Sequence, residues 1–261
     1  MKRKQQILLT ALLICIALLS SGCGQKQVAN NTGSDNTNSE SHSTTKEDTE
    51  PSTDTPTETP VTEESSSNDI ILSNTYCTKF GEVNAITYPQ FIFDYPNNWT
   101  VTQEEVTQTG ENVTLANERG AEIKFTHIGG VAEGTLDSGG STTDMSRVEV
   151  SSIADASFTP NYVQATDYSS LGKFVVAKLK TTGYLDMISG SDFTDVDGAT
   201  SYAVLPESRL GTDDAVRQVF ETEFAFWYSD YISLIANAPD GQFTEQEELE
   251  VQQILTSFRT E

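Results

Sequence analysis

Three patterns of apolar and polar positions succeed one another along the chain. Residues 7–19 are almost wholly apolar, residues 24–68 carry scarcely an apolar side chain, and from residue 69 onward apolar positions recur at strand or helix spacing. In this last region Phe91-Ile92-Phe93-Asp94-Tyr95 alternates, which predicts a strand with Phe91, Phe93 and Tyr95 on one face. Pro96-Asn97-Asn98 predicts a turn. A new strand starts at Trp99, with Trp99, Val101 and Gln103 on one side. Residues 112–117 and 121–128 predict a hairpin around Glu118-Arg119-Gly120. Residues 147–153 fit either a strand or a helix. Residues 173–185 predict a long strand, with Phe174, Val176, Lys178 and Lys180 opposite Val175, Ala177 and Leu179, and residues 201–205 a shorter one.

Towards the C-terminus the pattern sharpens. Residues 224–228 and 231–236 predict a hairpin about a Ser229-Asp230 turn. That turn would pair Tyr228 with Tyr231 and Trp227 with Ile232, placing Ala225, Trp227, Ile232 and Leu234 on one face. Phe224, Phe226, Tyr228, Tyr231 and Ile235 would take the other. Both faces are apolar, so these strands are expected at the centre of a sheet covered on both sides. After Pro239-Asp240-Gly241, Thr244 and Glu247 fit a helix-capping box. Glu245, Glu247 and Glu248 then occupy the first turn, where the helix dipole favours acids. Val251, Ile254, Leu255 and Phe258 form one apolar stripe at helical spacing.

The apolar run at residues 7–19 is short for a membrane span, which takes about 20 residues, and follows the basic Lys2-Arg3-Lys4. It has the length of a signal-peptide core. Leu19-Ser20-Ser21-Gly22-Cys23 follows and resembles the lipobox of bacterial lipoproteins, although Ser20 stands where leucine is commonest. That resemblance implies cleavage before Cys23 and attachment of lipid, palmitate included, at Cys23. The alternatives are an ordinary secretory signal or an uncleaved anchor. The expected organisation is a signal peptide at 1–22, a lipidated cysteine and disordered acidic Ser/Thr-rich tether at 23–68, and one folded domain at 69–261. The tether cannot bury enough apolar area to offset its ordering entropy, and its expected reach is on the order of 40 Å.

With 39 acids against 15 bases, the net charge is −24. Such a surface excludes nucleic acid as a partner, because that binding rests on Lys and Arg neutralising phosphates. It also repels anionic headgroups, so contact with the membrane is expected through the lipid alone. Cys15 lies in the leader and Cys23 is committed to lipid, which leaves Cys77 and no intrachain disulfide. Stability is therefore expected from an apolar core.

Phe91-x-Phe93-x-Tyr95-Pro96-x-x-Trp99-x-Val101 resembles the opening of the PsbP-like fold, which many bacterial lipoproteins share. The likeness extends over about residues 88–258, through a strand pair, a long strand, an apolar hairpin and a closing helix. It implies an α+β fold, an antiparallel β-sheet covered by helices on both faces as an α/β/α sandwich. It carries no shared active site, so no functional residue follows from it.

Candidate chemistry is sparse. Asp192, Asp195 and Asp197 place three carboxylates close together and form a candidate Ca²⁺ cluster. Their spacing does not fit an EF-hand loop, and a solvated acidic loop is the alternative. Asp213-Asp214 reads as a solvated helix start, and Glu221 with Glu223 as a strand's outer face. His127 is expected to be structural; the other reading pairs it with Cys77 as a catalytic dyad. Asn98-Trp99-Thr100 and Asn112-Val113-Thr114 match glycosylation sequons and are read as chance. No Gly-x-Ser-x-Gly, His-Glu-x-x-His or phosphate-binding glycine motif is present.

The expected function is a non-enzymatic binding or assembly module, anchored by lipid to the outside of the cell membrane. Its partner would be an envelope protein or glycan, met through the glycine-rich residues 129–144 or an aromatic patch near Trp99. The alternative is a carboxylate-dependent hydrolase of envelope polymers. A solute-binding protein with two lobes would need a longer folded part.

Overall fold

A computed structural model describes residues 70–84, 87–133, 144–188, 190, 192–217 and 223–261. The strands come in the order β1 (Asn74–Cys77), β2 (Phe91–Tyr95), β3 (Trp99–Val106), β4 (Gly110–Asn117), β5 (Glu122–Ile128) and β6 (Asp144–Asp155). A short hairpin, β7 (Tyr162–Val163) and β8 (Thr166–Asp167), leads to β9 (Phe174–Asp186), β10 (Thr194–Asp195), β11 (Thr200–Pro206) and β12 (Gly211–Val216). Then come β13 (Phe226–Tyr228), β14 (Asp230–Asn237), helix α1 (Glu245–Thr256) and β15 (Arg259–Thr260). A large antiparallel sheet runs β12-β6-β9-β11-β14-β5-β4-β3, with β10 beside β9 and β13 beside β14. A smaller sheet, β1-β2-β15, is separate from it.

Alternation divides the large sheet into two cores. Phe174 and Val176 of β9, Tyr202 and Val204 of β11, Ile232 and Leu234 of β14, and Ile123 and Phe125 of β5 share one cluster. They meet Phe91 and Phe93 of the small sheet and Val251, Ile254 and Leu255 of α1. Phe91 stacks on Phe258, with ring centroids 5.3 Å apart. The intervening residues Val175, Ala177, Leu179, Ala203 and Ile235 form a second cluster with Val148, Val150, Val216 and Phe224. β9, β11 and β14 are thus buried on both faces, which is why their sequences are apolar at successive positions.

Two expectations are corrected. The α/β/α sandwich is not formed: the chain is mostly antiparallel strand, and among the described residues α1 is the one α-helix. Helical spacing of apolar residues occurs once, at α1, whereas elsewhere the period is two. The small sheet and α1 together cover the first core, and no helix of the described residues contributes to the second. The hairpin register is also corrected. Phe226 pairs with Ile232, Trp227 with Tyr231 and Tyr228 with Asp230. The chain reverses through Ser229 alone, at φ +71°. This one-residue slip exchanges the faces. Phe226 and Tyr228 enter the first core, while Trp227 stays half-exposed beside Tyr231.

The phrase from Phe91 to Val101 is a structural joint. Trp99 is buried, and its indole Nε1–H donates to Glu250 Oε2 of α1 at 2.7 Å. The Asn98 amide donates to the same carboxylate at 3.0 Å. One helical turn earlier, Glu247 closes the capping box with Thr244. Its carboxylate also accepts from Arg119 at 2.6 Å and Asn117 at 2.7 Å, both in the β4–β5 hairpin. The Arg119 hydrogen bond leads the interactions that hold the Glu247 carboxyl down at about 2, against the opposing effect of burial.

A carboxyl lowered in the folded state stabilises above its unfolded value near 4.5 and loses that stabilisation as pH falls towards 2. Glu247→Gln is therefore predicted to cost about 2 kcal/mol at neutral pH. Its deficit in urea unfolding should shrink steadily between pH 4.5 and pH 3.

Candidate functional site

An open cleft of about 360 Å³ is lined by residues 87–90, residues 161–164, Tyr228 and the Thr260–Glu261 pair. Each wall is set by the fold. β15 pairs with β2 and brings Thr260 opposite Phe91, while the Glu261 N–H donates to Gln90 O at 3.1 Å. Tyr228 ends β13, and its hydroxyl accepts from the Asn161 N–H at 3.2 Å. The β7–β8 hairpin forms the remaining wall. Its two turn residues, Gln164 and Ala165, have φ of +48° and +68°. A tight turn with two positive φ values normally takes Asn-Gly, because a Cβ is strained there. Here the strained turn holds Tyr162, 67% exposed, at the rim.

Behind the cleft lies a buried polar group. His127 Nε2 is 3.1 Å from Asp230 Oδ2, and both side chains are buried. An ionised carboxylate only accepts, so the imidazole Nε2–H is the donor. Asp230 Oδ1 accepts from the Gly130 N–H at 3.3 Å. His127 Nδ1 is buried and has no hydrogen-bond partner among the described residues. It sits among Phe80, Tyr88 and Phe91, with ring centroids 4.4, 5.6 and 5.8 Å away. Tyr88 links this group to the cleft: it lines the cleft, and burial, followed by the Asp230 charge, raises its phenol. Opposite His127 in register is Glu111, fully buried. Glu111 accepts from the Tyr76 hydroxyl at 2.9 Å and from the Lys79 and Phe80 N–H groups at 2.8 Å. Burial first, and Glu111 second, push the Tyr76 phenol upward.

The residues singled out by sequence are scattered. His127 pairs with Asp230 and makes no hydrogen bond to Cys77, which is exposed on β1. Asp195 faces Arg147 at 3.4 Å, and Asp197 faces Lys180 at 2.6 Å, which lowers its carboxyl. Arg147 also lies over the Phe193 ring at 4.6 Å. Asp192 is exposed. Among the described residues no group of three His, Cys, Asp or Glu side chains is placed to share a cation. Asp213 and Asp214 lie on strand β12, not at a helix start, facing Arg209 at 3.7 Å and Arg147 at 2.7 Å. Trp99 offers no surface patch, being buried against Glu250. Cys23 and most of residues 129–144 lie outside the described residues. No helix among the described residues is long and apolar enough to cross a membrane.

Sequence reasoning passed over Asp230 and Glu111. Glu111 had a signal: it continues the inward row of Val113 and Leu115. Asp230 had none, because one residue of register decides whether it is a turn residue or a buried one.

Asp230→Ala would leave both His127 nitrogens buried and unpartnered. We predict a loss of about 3 kcal/mol in chemical denaturation, with faster hydrogen exchange at the Gly130 amide and a smaller loss for Asp230→Asn. Replacing Gln164 and Ala165 together by Asn and Gly should relieve the turn and raise stability by about 1 kcal/mol, read as an increase in Tm.

No family model, no curated protein and no solved structure matches this chain.

Proposed function

We propose that the chain is an extracytoplasmic lipoprotein, anchored to the cell membrane through Cys23, whose folded region is a non-enzymatic binding module. The observation that carries the binding reading is the cleft under the β7–β8 hairpin. It is concave, open, and walled by a strained turn that presents an exposed tyrosine. Binding sites combine such preset concavity with a few polar groups. The anchoring part rests on the basic start, the apolar run and Leu19-Ser20-Ser21-Gly22-Cys23. Kinship with PsbP-like lipoproteins belongs to the same proposal. It rests on the phrase from Phe91 to Val101 and brings no site residue with it.

The carboxylate-dependent hydrolase is the second reading. It calls for two acids facing one space, about 5–9.5 Å apart. The cleft lining carries one, Glu261. The buried acids Glu111, Asp230, Glu247 and Glu250 are each bonded to protein donors.

Cys23→Ser is predicted to abolish incorporation of labelled palmitate and to move the protein from the membrane fraction into the medium. A photo-crosslinking residue in place of Tyr162, in intact cells, should capture an envelope component. The same crosslinker at Glu105, exposed on edge strand β3, should not. Equal capture from both positions would remove the cleft from the proposal.

A further inference from the structure

Resting on the binding-module reading, we infer that the cleft takes an uncharged, hydroxyl-rich ligand: a short stretch of a neutral oligosaccharide. Charge is the first argument. Among the described residues the lining contains no Lys, Arg or His and one acidic residue, Glu261, in a chain of net charge −24. An anionic ligand would be repelled by the molecule as a whole and would find no countercharge on arrival. A cation would gain little from one exposed carboxylate in salt.

The second argument is the kind of group that lines the cleft. Neutral amides and hydroxyls line the site, with Asn161 and Gln164 exposed beside Tyr162. Amides offer donor and acceptor together, which suits a hydroxyl that is both. A tyrosine ring offers a flat apolar face and a polar tip, which suits a sugar ring with C–H groups on its faces and hydroxyls at its edge. The β7–β8 pairing, Tyr162 with Asp167 and Val163 with Thr166, positions Tyr162 and Gln164 before any ligand arrives, which lowers the ordering cost of binding.

The third argument separates a glycan from a peptide. An extended peptide is recognised by adding main-chain hydrogen bonds to a free strand edge. Here several main-chain groups at the rim are already taken. Gln90 O accepts from the Glu261 N–H, and Asn161 O accepts from the Tyr168 N–H. The Asn161 N–H donates to the Tyr228 hydroxyl, and Thr87 O accepts from the Gln164 amide at 3.4 Å. The exposed side chains of Asn161, Tyr162 and Gln164 supply the polar groups of recognition. At about 360 Å³ the cleft lies near the small end of ligand sites, which span roughly 300–1,000 Å³. It therefore takes a short segment of a longer chain.

The test is calorimetric titration of the full chain with four probes: a neutral N-acetylated glucosamine oligomer, its de-N-acetylated cationic form, a glycerol-phosphate oligomer, and a proline-rich peptide. The expected result is binding of the neutral oligomer alone, weakened at least tenfold by Tyr162→Ala and by Asn161→Ala. Both side chains are exposed, so Tm should be unchanged. Binding of the neutral oligomer that both variants leave intact would overturn the assignment to this cleft. Binding of the peptide or of either charged oligomer in preference, lost in the same variants, would overturn the ligand class while the binding-module reading stands. No binding of any probe would overturn the ligand class, and crosslinking from position 162 would then decide the module reading by itself.

Discussion

The register of β14 is the constraint from which most of the structure follows. Along one edge β14 pairs with β5 from Tyr231 to Asn237, and along the other it meets β13 and then β11. The β14–β5 pairing sets Ile232, Leu234 and Ala236 towards the small sheet and α1 and Ile235 towards the second core, and the Phe226–Ile232 pairing adds Phe226 and Tyr228 to the first of these faces. The same pairing turns Asp230 inward to His127 and sets Tyr228 in the wall of the cleft. A slip of one residue would move all of these together, since side chains alternate with a period of two. Ser229 sustains the register at a positive φ, a conformation that non-glycine residues adopt at a cost.

The polar interior is organised around carboxylates. Glu111 is satisfied by two backbone amides and a phenol, Asp230 by an imidazole and an amide, and Glu250 by an indole and two amide side chains. Glu247 adds a guanidinium and a capping box. Buried acids are tolerated only with such partners. Each one also joins elements far apart in sequence: β4 to the segment after β1, β5 to β14, β3 to α1, and the β4–β5 hairpin to α1. In a chain without a disulfide among its described residues these joints supply directional constraints that apolar packing does not. The remaining acids of the described residues stay partly or fully exposed.

The cleft forms where the small sheet, the β7–β8 hairpin and the end of β13 come together. None of these pieces is a site by itself. Tyr88 and Tyr228 join the cleft to the aromatic shell around His127, so the cleft wall is continuous with the buried core. A site built in this way is suited to recognising shape and hydrogen-bonding pattern. Among the described residues its lining carries one acidic residue, Glu261.

By itself the sequence determined most strands, the closing helix with its capping box, and the doubly buried centre of the sheet. These are legible because period-two and period-3.6 patterns and short-range caps are written within a few residues. Only the tertiary structure decided that a second sheet, with one helix, covers the first core in place of helices on both faces. It alone put Trp99 inside against Glu250, turned Asp230 onto His127, and drew Asp195 and Asp197 to different cations. The reason is physical. Which strand lies beside which, and in what register, depends on long-range pairings whose energies differ little from those of a one-residue slip until the whole core is assembled. The cleft belongs to that second class, because its walls are separated by up to 174 positions in sequence, from Thr87 to Glu261.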